Sequence, residues 1–151
     1  MQHEIILSLG TNIGKGEENI QKAYEMLDMK LGERVKTSSC FTTKPWGFES
    51  NNMFTNSVAI YKTEFSPEYC LQIIHHVEKE MGRKRNLHAG YEDRIIDIDI
   101  LFYDDSIINN SNLIIPHPLI TKRDFVLMPL CEIAPNKLHP VLKKTIKELV
   151  K

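Results

Sequence analysis

No stretch of this 151-residue chain is apolar for long enough to cross a bilayer. The opening Met1-Gln2-His3-Glu4-Ile5-Ile6-Leu7 has neither the basic start nor the small-residue cleavage site of a secretory signal. No membrane partner is expected, and a cytoplasmic location is. Cysteine is scarce: Cys40, Cys70 and Cys131 are odd in number, far apart, and form neither a CxxC pair nor a Cys/His cluster at zinc spacing. A disulfide scaffold is thereby set aside, and the three are expected as buried thiols in a reducing compartment. Charge of one sign is not in excess. The formal net charge is -1 and the basic residues form no long block, which speaks against a protein that coats nucleic acid and makes any phosphate site a local one. Repeats, low-complexity tracts and linker-like stretches are also missing, so residues 1–151 are expected to form one domain acting as a monomer.

What is present suits such a domain. With 42% hydrophobic and 26% charged residues, a chain of this length buries roughly 68–70% of its unfolded surface without a cross-link or structural metal. His3 to Leu9 reads as a buried strand, and Gly10, Gly14 and Gly16 mark the turn after it. Those glycines lack the lysine and hydroxyl of a phosphate-binding Walker loop, which leaves a structural turn. Ile20, Ala23, Tyr24, Leu27 and Leu31 keep helical spacing over Glu18 to Leu31. Strands are expected at Val35 to Thr42 and Phe54 to Lys62, with a long irregular segment between them. Ser66-Pro67 opens a second helix, buried along Cys70, Ile74, Val77 and Met81 and ended by Gly82. A polar basic loop then leads to Arg94 and the strand Ile95 to Tyr103. Short elements follow: a strand at Ser106 to Ile108, extended chain at Leu113 to Pro118, a helix near Lys122 to Met128, and an amphipathic piece at Leu142 to Val150. The order β-α-β-β-α-β predicts an α+β, ferredoxin-like fold, a mainly antiparallel sheet with the helices on one face.

The chemistry concentrates at Asp97-Ile98-Asp99. Strand side chains alternate, so Ile96, Ile98 and Ile100 face one side and the two carboxylates share the other. Such neighbours repel unless cations lie between them, and two divalent ions roughly 3.5–4 Å apart suit this spacing, magnesium being the natural occupant. An exposed strand with acidic outward positions is the alternative. Arg83, Lys84, Arg85 and Arg94 precede the pair, as phosphoryl transfer would require, although a solvated basic loop has the same composition. Pro116-His117-Pro118 holds a histidine able to donate to a phosphate oxygen or to serve structurally, and Arg123 follows it. Trp46 and Phe48 in the irregular segment, with Phe54 and Asn56 after it, suit a planar heterocycle with a donor and acceptor edge, or an ordinary aromatic core.

Taken together these residues closely resemble the 6-hydroxymethyl-7,8-dihydropterin pyrophosphokinase family of folate biosynthesis. The resemblance runs from Leu7-Ser8-Leu9-Gly10-Thr11-Asn12-Ile13-Gly14 through Phe54-Thr55-Asn56, Glu78, Gly82-Arg83-Lys84-Arg85, Arg94-Ile95-Ile96-Asp97-Ile98-Asp99-Ile100-Leu101 and Pro116-His117-Pro118 to Pro129-Leu130-Cys131-Glu132-Ile133-Ala134-Pro135. It implies an ATP-dependent diphosphotransferase with two magnesium ions, transferring the diphosphate of ATP to the hydroxymethyl group of the reduced pterin. By the same resemblance Asp97 and Asp99 hold the metals, with Asp97 also at the pterin. Arg83 and Arg94 act on the triphosphate in catalysis. Glu78, Arg85, Arg94, Ile100, His117 and Arg123 bind ATP, and Thr43, Pro45, Trp46, Phe54, Asn56 and Phe125 form the pterin pocket.

The chain departs from the family pattern at Tyr91-Glu92-Asp93, where W-G-P is common, and at His75, Asn112, Ile114 and Pro118. Two other readings stand beside the pyrophosphokinase one. A non-catalytic ferredoxin-like binding module would have no use for the paired aspartates. A magnesium-dependent nucleotidyltransferase would use them but release pyrophosphate.

Overall fold

A computed structural model describes residues 2–43, 53–82 and 95–150. The chain runs β1 (His3–Thr11), α1 (Gly16–Lys30), β2 (Glu33–Thr37), β3 (Phe41–Thr43), β4 (Phe54–Thr63), α2 (Pro67–Glu80) and β5 (Asp97–Tyr103). A small hairpin of β6 (Ile108–Asn109) and β7 (Ile114–Ile115) follows, then a 3-10 turn (Ile120–Lys122), α3 (Asp124–Ile133) and α4 (Ile146–Leu149). β1 pairs antiparallel with both β4 and β5, and β4 pairs antiparallel with β2 and β3. The order β2-β4-β1-β5, with β3 also on β4, is the α+β, ferredoxin-like arrangement expected from the element order.

Alternation along β1 divides the interior in two. Ile5, Leu7 and Leu9 face α1 and α2 together with Ile96, Ile98 and Ile100, whereas Ile6 faces α3 with Val58, Ile60, Leu101 and Phe102. α1 turns Ile20, Ala23, Tyr24 and Leu27 inward and begins with acidic Glu17 and Glu18 at its positive end. α2 begins as its sequence predicts: Ser66 Oγ accepts the Tyr69 N–H at 3.2 Å and Pro67 fills the first turn. Past its end Gly82 takes a φ of +91°, a conformation that disfavours any residue with a Cβ.

Several expectations are corrected. The helices do not all share one face; α3, the 3-10 turn and α4 cover the second one. Val35 to Thr42 is two short strands instead of one, because Ser38 turns its hydroxyl into the sheet to accept the Val58 N–H at 2.9 Å and breaks the pairing at residues 38–40. The strand expected at Ser106 to Ile108 lies at Ile108–Asn109.

The helix expected to stop at Met128 continues through Pro129 to Ile133. An interior proline costs about 3 kcal/mol, but Val126, Leu127, Leu130 and Ile133 are buried against the sheet, each contributing about 1.5–3 kcal/mol. Burial wins. At the C-terminus only Ile146–Leu149 is helical, closed by a capping box between Thr145 and Glu148. Of the thiols, only Cys70 is buried; Cys40 and Cys131 are partly exposed.

Candidate active site

Asp97 and Asp99 lie half-buried at the start of β5, on the face away from α1 and α2, as the alternation requires. Register fixes their neighbours. Gly10 of β1 stands opposite Asp97 on one side and Asn56 of β4 on the other, and Asn56 is opposite Phe41 of β3. Four strands therefore contribute one row, Phe41, Asn56, Gly10 and Asp97, in which the glycine leaves a gap. Filling it is hard: a Cβ on Gly10 would lie 2.7 Å from Asn56 Oδ1. Asn56 is 8% exposed, and its Nδ2 has no hydrogen-bond partner among the described residues. A buried amide donor left without a partner costs about 1–3 kcal/mol, which a ligand acceptor would return.

Two elements outside the sheet fix the surroundings of Asp99. β5 is an edge strand, and its outer side is held by other parts of the chain. The Leu101 carbonyl accepts the His117 N–H at 3.0 Å, and the Ile98 N–H donates to Glu78 Oε2 at 3.0 Å. Glu78 is 3% exposed, so its carboxylate braces the strand between the two aspartates. His117 Nδ1 accepts the Leu119 N–H at 3.1 Å, which leaves the ring proton on Nε2, 3.9 Å from Asp99 Oδ1. Burial holds the His117 pKa below the ordinary imidazole value and nearby Arg123 adds to this, while Asp99 and Asp97 oppose it. Arg123, just before α3, brings its guanidinium to 3.8 Å from Asp99 Oδ2 and 5.8 Å from the Phe125 ring centre. His117 also borders a cavity of about 230 Å³ shared with Ile120, His139 and Leu142.

The sheet and the β5 edge thus bring together Asn56, Asp97, Asp99, Glu78, His117 and Arg123. Thr43 ends β3 opposite Phe54, which is half-buried; Thr43 itself is exposed. Phe125 is 39% exposed at the start of α3. The Ile100 side chain is buried in the core under α2, so only its backbone is available to a ligand. Pro45, Trp46, Arg83, Arg85 and Arg94 lie outside the described residues. Among the described residues no cluster of three His, Cys, Asp or Glu side chains is placed to hold a metal. The aspartate pair still fits magnesium, which binds through one or two carboxylates and takes its remaining ligands from water and substrate phosphates. Sequence reasoning missed Gly10, read only as part of a turn. A glycine closing a strand run, Leu7-Ser8-Leu9-Gly10, was the available signal for close approach.

A family model described as 7,8-dihydro-6-hydroxymethylpterin-pyrophosphokinase (HPPK) matches residues 6–135. A 2-amino-4-hydroxy-6-hydroxymethyldihydropteridine pyrophosphokinase of Aquifex aeolicus is 44% identical over 144 residues, covering 95% of this chain and 88% of its own. One of Porphyromonas gingivalis is 41% identical, covering 90% of this chain and 93% of its own. Among solved structures, Plasmodium falciparum HPPK-DHPS superposes with a TM-score of 0.81 at 21% identity, over 99% of this chain and 42% of that one. That likeness speaks for the fold. On the family match and these identities, the chain belongs to the 7,8-dihydro-6-hydroxymethylpterin-pyrophosphokinase family.

Proposed function

We propose that the chain carries out its family's pyrophosphokinase reaction in folate biosynthesis at the site around Asp97 and Asp99, with ATP as donor and 6-hydroxymethyl-7,8-dihydropterin as acceptor. The hydroxymethyl oxygen bonds to the β-phosphorus of ATP and gives up its proton to solvent, while the bond from that phosphorus to the α-phosphate bridging oxygen breaks, giving AMP and the pterin diphosphate. The observation that carries the reading is the row Asn56, Gly10, Asp97: a side-chain-free gap flanked by an amide whose donor is unmet among the described residues and by a carboxylate, beside a second carboxylate. A flat ring with an acceptor and a donor edge fits it.

Within this reading Asn56 and Asp97 orient the ring, with Thr43, Phe54 and Phe125 at its margins. His117, held with Nε2–H outward, and Arg123 donate to phosphate oxygens near Asp99. Ile100 offers its backbone to the nucleotide, and Glu78 holds the β5 edge beside it through the Ile98 N–H. Two magnesium ions held by Asp97 and Asp99 would supply neutralisation of the charge that spreads over the phosphate oxygens during transfer. The family motifs extend the reading to Arg83, Arg85 and Arg94 at the phosphates and to Pro45 and Trp46 at the pterin. One catalytic domain acting as a cytoplasmic monomer completes it. In support, the edge strand β2 is short, exposed and charged at Glu33, Arg34 and Lys36, which discourages edge-to-edge association. No helix among the described residues is long and apolar enough to cross a membrane.

The test is to mix the protein with ATP, Mg²⁺ and the hydroxymethyl dihydropterin. AMP and the pterin diphosphate are expected; ADP, or free pyrophosphate with a nucleotidylated pterin, overturns the reading.

A further inference from the structure

α3 is held at both ends. At its start Arg123 sits 3.8 Å from Asp99 of β5. At its end Glu132 takes both the backbone N–H and the hydroxyl of Ser39, each at 2.6 Å. Between these ties the helix lies across Val58 and Ile60 of β4 and Ile6 of β1. Ser39 belongs to the break between β2 and β3, two residues before β3 begins. Among the described residues β3 spans three positions and pairs with β4 alone, yet its register sets Phe41 against Asn56 and Thr43 against Phe54. So short a strand is marginal by its own pairing and needs an outside tie.

We propose that Glu132 is a positioning residue for the pterin. Its double hydrogen bond to Ser39 fixes β3 relative to α3, and so sets the separation between the Thr43 margin and the Phe125 margin of the pocket. The inference rests on the pterin reading of Asn56 and adds a residue that touches no substrate. The carboxylate matches this task because its two oxygens accept both donors at once, as charge-assisted bonds. A glutamine retains one acceptor and turns an NH₂ toward the second donor.

The experiment measures the Kd of 6-hydroxymethyl-7,8-dihydropterin in the presence of a nonhydrolysable ATP analogue, the Kd of that analogue, and kcat at saturating pterin. The full chain is used, with Glu132→Ala, Glu132→Gln, Ser39→Ala and Asn56→Ala. Glu132→Ala is expected to raise the pterin Kd roughly three- to tenfold and Glu132→Gln by less, while kcat and the Kd of the analogue stay within about twofold. Adding Ser39→Ala to Glu132→Ala should change nothing further, because the loss of Glu132 has already removed both bonds to Ser39. Should Glu132→Ala not fold, Ser39→Ala keeps one of the two bonds and carries the same test, with an expected rise of about twofold or more. A pterin Kd unchanged in the Glu132 and Ser39 variants, or one that rises only together with the analogue Kd and loss of kcat, overturns the proposal. If Asn56→Ala weakens pterin binding and Glu132→Ala does not, only the positioning role is lost. If Asn56→Ala is also silent, the pocket reading itself fails and this role with it.

Discussion

Gly10 and Asn56 stand opposite one another on β1 and β4, so close that a single added carbon on the glycine would press on the amide oxygen at 2.7 Å. Gly10→Ala is therefore expected to push the Asn56 amide out of place and to lower kcat/KM for the pterin by about tenfold or more, with a smaller effect on ATP affinity. Steady-state kinetics with each substrate varied in turn checks this. An equal loss toward both substrates would argue against a pterin gap at this row.

Replacing Asp97 or Asp99 by Asn keeps the shape of the strand and removes the negative charge. Turnover is expected to fall by about a thousandfold or more in each, because charge neutralisation at the phosphates depends on them. Thermal unfolding should shift by no more than a few degrees, since both side chains lie outside the apolar clusters. A variant that keeps most of its turnover removes the metal assignment.

Glu78 accepts the edge N–H of Ile98 from a position only 3% exposed. Glu78→Ala leaves that amide without its acceptor and should cost about 1–3 kcal/mol in urea unfolding, whereas Glu78→Gln, which can still accept, should recover most of it. Equal losses in the two variants would mean that charge, not the hydrogen bond, is what Glu78 supplies.

His139 is 6% exposed, edge-on to Phe102, with its Nδ1 accepting the Val141 and Leu142 N–H groups at 3.2 and 3.1 Å. Burial lowers its pKa below the ordinary value of 6.5. The unfolded chain therefore binds more protons below that value than the folded one, so stability is full above about pH 6.5 and declines as the pH falls through this range. His117 contributes with the same sign. Denaturation midpoints between about pH 7 and pH 5 should drop, and His139→Asn, which keeps an acceptor and cannot titrate, should flatten part of the slope. An unchanged slope in that variant would count against the role of His139.

Much of this molecule can be read from its residues because the signals are local. The Ser66-Pro67 cap, the glycine after α2 and the Asp-Ile-Asp alternation each depend on neighbours in sequence, and each lies where it was expected. The failures involve contacts between distant residues. The break after Thr37 depends on Ser38 reaching Val58 across the sheet, and α3 passes through Pro129 because a second face of the sheet waits beneath it. Asn56 could be proposed from its place among aromatics. That its donor goes unmet among the described residues, beside a glycine, became visible only from the folded arrangement.

β5 slips register against β1 between its two halves: Ile100 is opposite Leu7, Phe102 is opposite Ile6, and Leu101 is the extra residue. Leu101 and Phe102 consequently turn toward the same layer, and one strand carries two separate phases, an acidic one for chemistry and a greasy one for anchorage. Deleting Leu101 would leave Phe102 opposite Ile6 in regular pairing and strip one large side chain from that layer, so the surplus residue doubles the foothold of this strand without turning its aspartates over.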